Sequence, residues 1–427
     1  MSSEVTICSV ITPFHTKLMV INYRLISLLN RSTSYPLKIV YNDEFFLTTS
    51  RKQLRIQIKK GKDYFQIIRG RRKIPKSGNQ NKLLDCLPQN SIFDGPSLEH
   101  AFTRALETAD KSGLTGFESE LRALKSLASY HHALGIETAI EKVKTRFVVL
   151  IDPDFYVIQA DWLNRIVSHM KQKKLAVFGA PWNPRWYQKF RDFPCTHLMI
   201  FDREKLRITD DIALPDLIGG GPKFISRFWM ERAEEWNRAR VFRSRSLVHH
   251  PWQALKEEWL QRRTIAASRD TGFKMRGLCQ QLGLAFESLT PVFDPEVEGF
   301  DPPTVSPIQI HPLVQLLLPE DRVYLPKRSV SYSRSGFKER GFPNFRGIGW
   351  EEFMWHNEPF AFHVRGERRK VSGRDFLYLR NGLQTILGRQ GLSPLPDVGP
   401  GEEDEYSIPL GLIESPKGLM QLGRSSA

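Results

Sequence analysis

The sequence predicts an α/β fold with a mostly parallel central sheet flanked by helices. The first reason is a strand, a helix and a second strand at residues 5–12, 17–30 and 37–43. Parallel neighbours need a crossover of this kind. The second reason is a long helical segment, 118–144, that leads into the apolar strand 146–151. Ligands of such sheets bind at the carboxyl ends of the strands.

The other elements follow from composition and periodicity. Residues 64–70 predict a third strand, residues 76–97 a loop rich in Asn, Ser, Gly and Pro, and Gly135 an interruption of the long helix. Apolar residues at helical spacing predict a helix over 161–174. Two further apolar runs, 175–182 and 196–202, predict strands.

The charge of the chain is strongly positive. Its 427 residues include 62 Lys and Arg against 47 Asp and Glu, a formal net charge of +15. Eleven of the basic residues lie in the basic segment, residues 51–76. Such a surface favours polyanions, namely nucleotide diphosphates, anionic lipid headgroups or nucleic acid. A basic surface without a dedicated partner is the alternative.

Targeting and redox signals are few. The four cysteines form no CxxC pair, so neither a zinc site nor a disulfide framework is indicated, and reduced thiols in a cytoplasmic protein are expected. No signal peptide and no apolar run of the roughly 18 residues that span a bilayer is evident. Any membrane contact is therefore expected to be peripheral.

The stretch "VVLIDPDFYV", residues 148–157, places two acids at the end of a buried strand. In an extended chain, residues i and i+2 point to one side, so Asp152 and Asp154 are expected to converge. Pro153 stiffens the step between them. Neighbouring carboxylates repel unless a cation or a shared proton relieves them, and hard divalent cations prefer oxygen ligands. The motif therefore predicts a divalent cation site, while two acids capping a turn remain the alternative.

The order of these elements resembles GT-A-fold glycosyltransferases of the family 2 type over roughly residues 5–205. The resemblance rests on "VTICSVITPFHTKLMVINYRLISLLN", "LKIVYNDE" and "SYHHALGIETAIEKVKTRFVVLIDPDF", in that order. It implies that Asp152 and Asp154 bind Mg²⁺ or Mn²⁺ on the diphosphate of a nucleotide-sugar donor. It also implies that Asp43 contacts the base and that Thr12 and Pro13 border the nucleotide. The chain departs from the pattern in its long segment 71–117, and in Glu137, where the family commonly has Asn.

The second half of the chain supplies the remaining candidates. An inverting transfer needs a carboxylate base for the acceptor hydroxyl, and Asp270 is the first candidate, with a helix-cap role as the alternative. Other candidate bases are Asp210, Asp211 and Asp216. The resemblance offers His363 as a late metal ligand, although a lone histidine is more often a core or surface group.

Histidine pairs and aromatic residues allow weaker predictions. The adjacent pairs His131–His132 and His249–His250 lack metal-ligand spacing and are interpreted as structural. Aromatic residues past a strand end either stack on a sugar or fill the core: Trp182, Trp186 and Tyr187. For Trp350 and Trp355, core packing is favoured.

The hypothesis is a metal-dependent, inverting glycosyltransferase that moves a sugar to a hydroxyl acceptor in glycan or polysaccharide synthesis. Its expected partners are a nucleotide-sugar donor, a glycan or lipid-linked acceptor and, peripherally, an anionic membrane, but no nucleic acid. The expected organisation is a nucleotide-sugar-binding half, an acceptor-binding half, a C-terminal extension packing on the site, and a linker and tail: 1–205, 206–300, 301–395 and 396–427. The alternatives are a sugar-phosphate nucleotidyltransferase, which normally carries a Gly-rich loop after its first strand, and a nucleic-acid-binding protein using the basic segment.

Overall fold

The structure is a computed structural model. It describes residues 3–44, 57, 62–63, 66–68, 82–111, 116–184, 193–206, 208, 212–215, 271–294, 332–364 and 373–396. The strands are β1 (Val5–Ile11), β2 (Leu37–Tyr41), β3 (Ile92–Asp94), β4 (Phe147–Ile151), β5 (Phe155–Val157), β6 (Val177–Pro181), β7 (Pro194–Asp202), β8 (Phe286–Ser288), β9 (Thr290–Pro291), β10 (Glu351–Trp355) and β11 (Glu358–His363). The α-helices are α1 (Thr16–Leu29), α2 (Leu98–Lys111), α3 (Gly116–Glu141), α4 (Trp162–Gln172), α5 (Arg203–Leu206), α6 (Phe273–Gln281) and α7 (Gly373–Arg389).

The central sheet has seven strands in the order β3-β2-β1-β4-β7-β6-β8. The pairs among β3, β2, β1 and β4 are parallel, and so is the pair of β6 with β8. Strand β7 runs antiparallel to both of its neighbours, β4 and β6. The predicted α/β fold with a mostly parallel central sheet is therefore confirmed.

Both faces of this sheet are covered, which explains why its strands read as continuous apolar runs. In β1, Ile7 and Ile11 belong to a core shared with α1 and α4. The alternate residues Cys8 and Val10 belong to a second core shared with α2 and α3. A strand that is buried on both faces carries apolar residues on both, so β1 shows no apolar–polar alternation, and its two polar residues, Thr6 and Ser9, are buried as well.

A second sheet lies beside the first and combines β5 with three strands from the later part of the chain. It has four strands in the order β5-β11-β10-β9, and each neighbouring pair is antiparallel. Strand β5 begins at Phe155, three residues beyond Asp152, and pairs with β11 so that Phe155 lies opposite His363. This pairing brings residues 351–363 against the end of β4.

The structure corrects three local predictions. The strand predicted at 64–70 is wrong where the chain is described, because residues 66–68 are helical and both Ile67 and Ile68 are buried in the α2–α3 core. Within the predicted loop 76–97, residues 82–84 are helical, a 3₁₀ turn spans Gln89–Ser91, and Ile92–Asp94 form β3 beside β2. Gly135 does not interrupt α3. A Cβ atom there would lie 2.8 Å from Val10 Cγ1, so glycine allows the helix to approach β1 closely.

All four cysteines are free, and Cys86 is exposed while the other three are buried. Burial raises the pKa of the Cys8 thiol to about 12 and that of Cys279 to about 11. Among the helices of the described residues, none has the length and apolar character of a membrane span. Most of the basic segment lies outside the described residues.

Candidate metal centre

The two acids of the motif lie on a turn, whereas an extended segment was predicted. The backbone N–H of Phe155 donates to the carbonyl of Asp152 at 3.1 Å, which closes a four-residue turn with Pro153 at its second position. Proline is favoured there because its fixed φ matches the turn. The acids therefore lie on a turn, as the alternative had it, and the divalent cation site stays a prediction.

Asn22 of α1 donates hydrogen bonds to the backbone of this turn. The side chain is fully buried, and its amide donates to the carbonyls of Phe155 at 2.8 Å and of Asp152 at 3.3 Å. Next to it, the hydroxyl of Tyr156 donates to the carbonyl of Leu18 at 3.2 Å. Burial, together with the charge of Asp154, raises the pKa of the Tyr156 hydroxyl well above its usual value. Helix α1 therefore fixes the position of the acid motif through polar contacts to its backbone.

Replacing Asn22 is expected to destabilise the protein. Asn22→Ala leaves the carbonyls of the turn buried without this donor, which costs about 1–3 kcal/mol of the free energy of unfolding. Urea denaturation followed by circular dichroism measures the change. The control is Asn381→Ala, since Asn381 is exposed on α7 and an exposed substitution stays within about 0.5 kcal/mol. Equal stability of the two variants would contradict the role given to Asn22.

His197 of β7 faces Asp152. The strands β4 and β7 are in register with Ile151 opposite Leu198, and the backbone N–H of Asp152 donates to the carbonyl of His197 at 2.9 Å. The side chains meet with His197 Nδ1 at 2.7 Å from Asp152 Oδ2. Burial acts to raise the pKa of Asp152, but the hydrogen bond and charge of His197 outweigh it, so the pKa lies below its ordinary value. Asp152 is therefore ionised at neutral pH.

His363 of β11 faces Asp154. Its Nε2 lies 3.2 Å from Asp154 Oδ1, and its Nδ1 lies 3.1 Å from Glu351 Oε2. His363 and Glu351 are each 1% exposed. The two histidine rings are close, with the centroids of His197 and His363 4.5 Å apart. The second sheet therefore carries His363 into the site of the acid motif.

Three of these side chains form a possible metal site. One ligand atom each from Asp152, His197 and His363 lies within 4.8 Å of the others. Two ligands at right angles around a divalent ion, each about 2.1 Å from it, are about 3.0 Å apart. The observed separation of 2.7 Å between Asp152 Oδ2 and His197 Nδ1 is of that size. The carboxylate and imidazole groups therefore fit a divalent cation.

The surroundings of Asp152 include a second histidine. His132 Nε2 lies 3.9 Å from Asp152 Oδ1, whereas its neighbour His131 turns its Nε2 to the carbonyl of Pro96 at 2.7 Å. The structural interpretation of this pair is supported for His131, while His132 lies at the site. A small pocket adjoins both Asp152 and His132, and its lining includes Ser9, whose buried hydroxyl has no hydrogen-bond partner among the described residues.

The predicted donor contacts lie at the same edge of the sheet. Thr12 and Pro13 directly follow β1, and Thr12 Oγ1 lies 3.1 Å from His15 Nδ1. Asp43 is exposed two residues after β2, whose last residue lies opposite the last residue of β1. The ring of Trp182 packs against His197 with centroids 4.3 Å apart. The roles of these residues stay predictions.

Several sequence candidates lie outside the described residues: Asp270, Asp210, Asp211, Asp216, His249, His250, Trp186 and Tyr187. Trp350 and Trp355 are buried, as expected for core residues. The sequence analysis missed His197 and Glu351, and it interpreted His132, which lies at the site, as structural. For His197 the only signal was a histidine directly before the apolar residues 198–201.

The known proteins that are similar to this chain come from the solved structures. No protein-family model and no curated protein sequence matches the chain. Among solved structures, it is similar to the mannosyltransferase Ktr4p from S. cerevisiae in complex with GDP (11% identity, TM-score 0.25), with 49% of this chain matching 59% of that one. It is also similar to the mannosyltransferase PcManGT from Pyrobaculum calidifontis in complex with GDP-Man and Mn²⁺ (12% identity, TM-score 0.26, 66% of this chain and 76% of that one). A third is LgtC, a galactosyltransferase (10% identity, TM-score 0.28, 77% and 87%). By name all three are glycosyltransferases, the class that the sequence resembles, but likenesses of this size do not assign a family.

Proposed function

We propose that this chain is a nucleotide-sugar-dependent glycosyltransferase with a divalent cation held by Asp152, Asp154, His197 and His363. The observation that carries the proposal is the meeting of Asp152, His197 and His363 at the end of β4. Strand ends at this edge of a parallel sheet are where α/β folds bind ligands. A cation at this position would lie beside any diphosphate bound over the ends of β1 and β2.

The donor set favours Mn²⁺ over Mg²⁺. Mg²⁺ prefers an octahedral shell of oxygen atoms, whereas imidazole nitrogens suit transition metals. Two histidines among the candidate ligands therefore argue for a metal that accepts both nitrogen and oxygen. When bound, such a cation neutralises the charge that develops on a departing diphosphate.

The chain's own residues would divide the remaining work. Thr12 and Pro13 would border the nucleotide, and exposed Asp43 would accept hydrogen bonds from its base. Trp182, which packs on His197, would offer a flat face toward the sugar side of the site. Asp270 remains the proposed base that takes the proton of the acceptor hydroxyl in an inverting transfer. Residues 1–205 would form the donor half, 206–300 the acceptor half and 301–395 the extension over the site.

The acceptor is proposed to be a glycan or a lipid-linked hydroxyl compound. The net charge of +15, with eleven basic residues in the basic segment, supports peripheral contact with an anionic membrane next to such an acceptor. The four free cysteines are consistent with the cytoplasmic location expected from the sequence. Glycan or polysaccharide synthesis is the proposed setting.

A thermal-shift screen tests the proposal. The full chain is heated with UDP, GDP, CMP or dTDP, each with Mn²⁺, with Mg²⁺ and with EDTA. We expect one diphosphate to raise the melting temperature with Mn²⁺ and to have little effect with EDTA, because ligand binding stabilises the folded state by mass action. Stabilisation by no nucleotide under any condition, or stabilisation that EDTA leaves unchanged, would contradict a metal–diphosphate site.

A further inference from the structure

We propose that Glu351 is a positioning residue that orients His363 for the cation. It accepts a hydrogen bond from Nδ1 of His363 and so leaves the lone pair of Nε2 directed at Asp154 and the metal position. This inference rests on the proposed function, since it concerns how the chain prepares one of the candidate ligands.

Glu351 contacts His363 at Nδ1, whereas Asp154 lies at Nε2 of the same imidazole. The two residues are opposite each other in the antiparallel pair of β10 and β11, and Glu351 Oε2 lies 3.1 Å from His363 Nδ1. Both are 1% exposed. A carboxylate is costly to bury unless it is hydrogen-bonded, and Nδ1 of His363 is one partner of Glu351.

The next residue along β10 shows what a purely structural buried carboxylate does here. Glu352 points to the opposite face and is also 1% exposed. Its oxygens accept the backbone N–H groups of Phe337 at 2.8 Å and Arg346 at 2.9 Å. Burial raises the pKa of Glu352, although these hydrogen bonds act to lower it. Glu352 therefore holds two loops, whereas Glu351 contacts the imidazole of His363.

Hydrogen-bond chemistry then determines which nitrogen of His363 can bind a cation. In the proposed arrangement the carboxylate of Glu351 accepts the hydrogen bond, so Nδ1 of His363 carries the proton and donates it. A neutral imidazole has one N–H, so Nε2 then carries a lone pair and faces the carboxylate oxygen of Asp154 at 3.2 Å. Two acceptors face each other stably only when a cation or a proton lies between them. A cation at Nε2 would take the place of the proton that this nitrogen would otherwise donate to Asp154.

The size of the effect follows from comparable sites. Partners that hydrogen-bond the far nitrogen of a metal-binding histidine typically contribute about 10–100-fold to metal affinity. Glutamine at position 351 would keep the shape but remove the charge. Its amide group could also donate to Nδ1, which would move the imidazole proton to Nε2 and block the lone pair.

Isothermal titration of the full chain with Mn²⁺ alone tests the inference. We expect Glu351→Gln to weaken Mn²⁺ binding about 10–100-fold relative to the unmodified chain. The matched control is Glu352→Gln, which also removes a buried carboxylate of β10 but is expected to leave Mn²⁺ affinity within about twofold. An equal Mn²⁺ affinity for Glu351→Gln and the unmodified chain would overturn the inference, and so would an equal loss in both variants.

A double-mutant cycle separates positioning from general damage. If Glu351 acts through His363, adding Glu351→Gln to His363→Ala has no further effect on Mn²⁺ affinity. Additive losses would show that Glu351 acts by another route and would overturn the inference. Failure of the unmodified chain to bind Mn²⁺ would instead contradict the metal centre of the proposed function.

If Glu351→Gln does not fold, NMR can locate the imidazole proton of His363 in the unmodified protein. Histidine labelled with ¹⁵N, in the chain loaded with diamagnetic Zn²⁺, is expected to show the proton of His363 on Nδ1. A proton on Nε2, or metal coordination through Nδ1, would overturn the inference.

Discussion

Asp152→Asn is expected to lower sugar transfer about 10³-fold while the protein stays folded. Asparagine keeps the shape of the side chain but removes the charge that the lowered pKa of Asp152 maintains at neutral pH. The backbone contacts of this residue, to the carbonyl of His197 and from the amide of Asn22, do not depend on the carboxylate. A loss of activity in this variant would therefore report on the missing carboxylate and not on unfolding of the turn.

The measurement is kcat/KM for donor hydrolysis and transfer, with the nucleotide sugar that the thermal-shift screen selects. The matched control is Asp161→Asn. Asp161 is a half-buried acid at the start of α4, and its carboxylate accepts hydrogen bonds from Ser32 at 2.9 Å and Asn164 at 2.7 Å. We expect this control to retain turnover. Unchanged turnover of Asp152→Asn would rule out the metal–diphosphate mechanism.

Trp350→Ala is expected to have the largest effect on stability, a loss of about 3–5 kcal/mol in the free energy of unfolding. The indole is 1% exposed and lies nearly parallel to Phe345 and Phe362, with ring centroids 5.5 Å and 5.9 Å away. Tyr378 of α7 meets it edge-on at 5.8 Å. Removing it leaves a cavity that rigid neighbouring rings cannot fill.

The cavity would lie on the face of β11 opposite His363, because Phe362 and His363 are successive residues of one strand. Urea denaturation measures the loss of stability. The control is Leu377→Ala, since Leu377 is 57% exposed on α7 and its loss removes little packing. A destabilisation of Trp350→Ala below about 1 kcal/mol would contradict the packing role.

The correct predictions rest on local patterns. Strands β1, β2 and β4 and helices α1 and α3 were readable because an apolar run or helical spacing reports burial directly. The acid motif was readable because parallel strands collect their carboxyl ends at one edge. By contrast, the strand predicted at 64–70 failed because Ile67 and Ile68 are both buried on a helical turn, and adjacent apolar residues do not distinguish a helix from a buried strand.

The site shows the same division. The sequence identified Asp152 and Asp154 by their spacing, and a family resemblance identified His363. The sequence did not show which strand pairings bring these side chains to their partners. Asp154 reaches His363 because β11 pairs with β5, two segments about 200 residues apart. Asp152 reaches His197 because β7 returns antiparallel beside β4. Neither pairing leaves a signal within one segment.

By itself, the sequence of this protein determined an α/β fold and a pair of acids at the edge of its parallel strands, because burial and strand order act through neighbouring residues. Only the tertiary structure decided which groups complete that pair. It brought His197 and His363 to the acids and placed Glu351 behind His363, because strand register sets contacts between distant segments and a shift of one residue would turn each side chain to the other face.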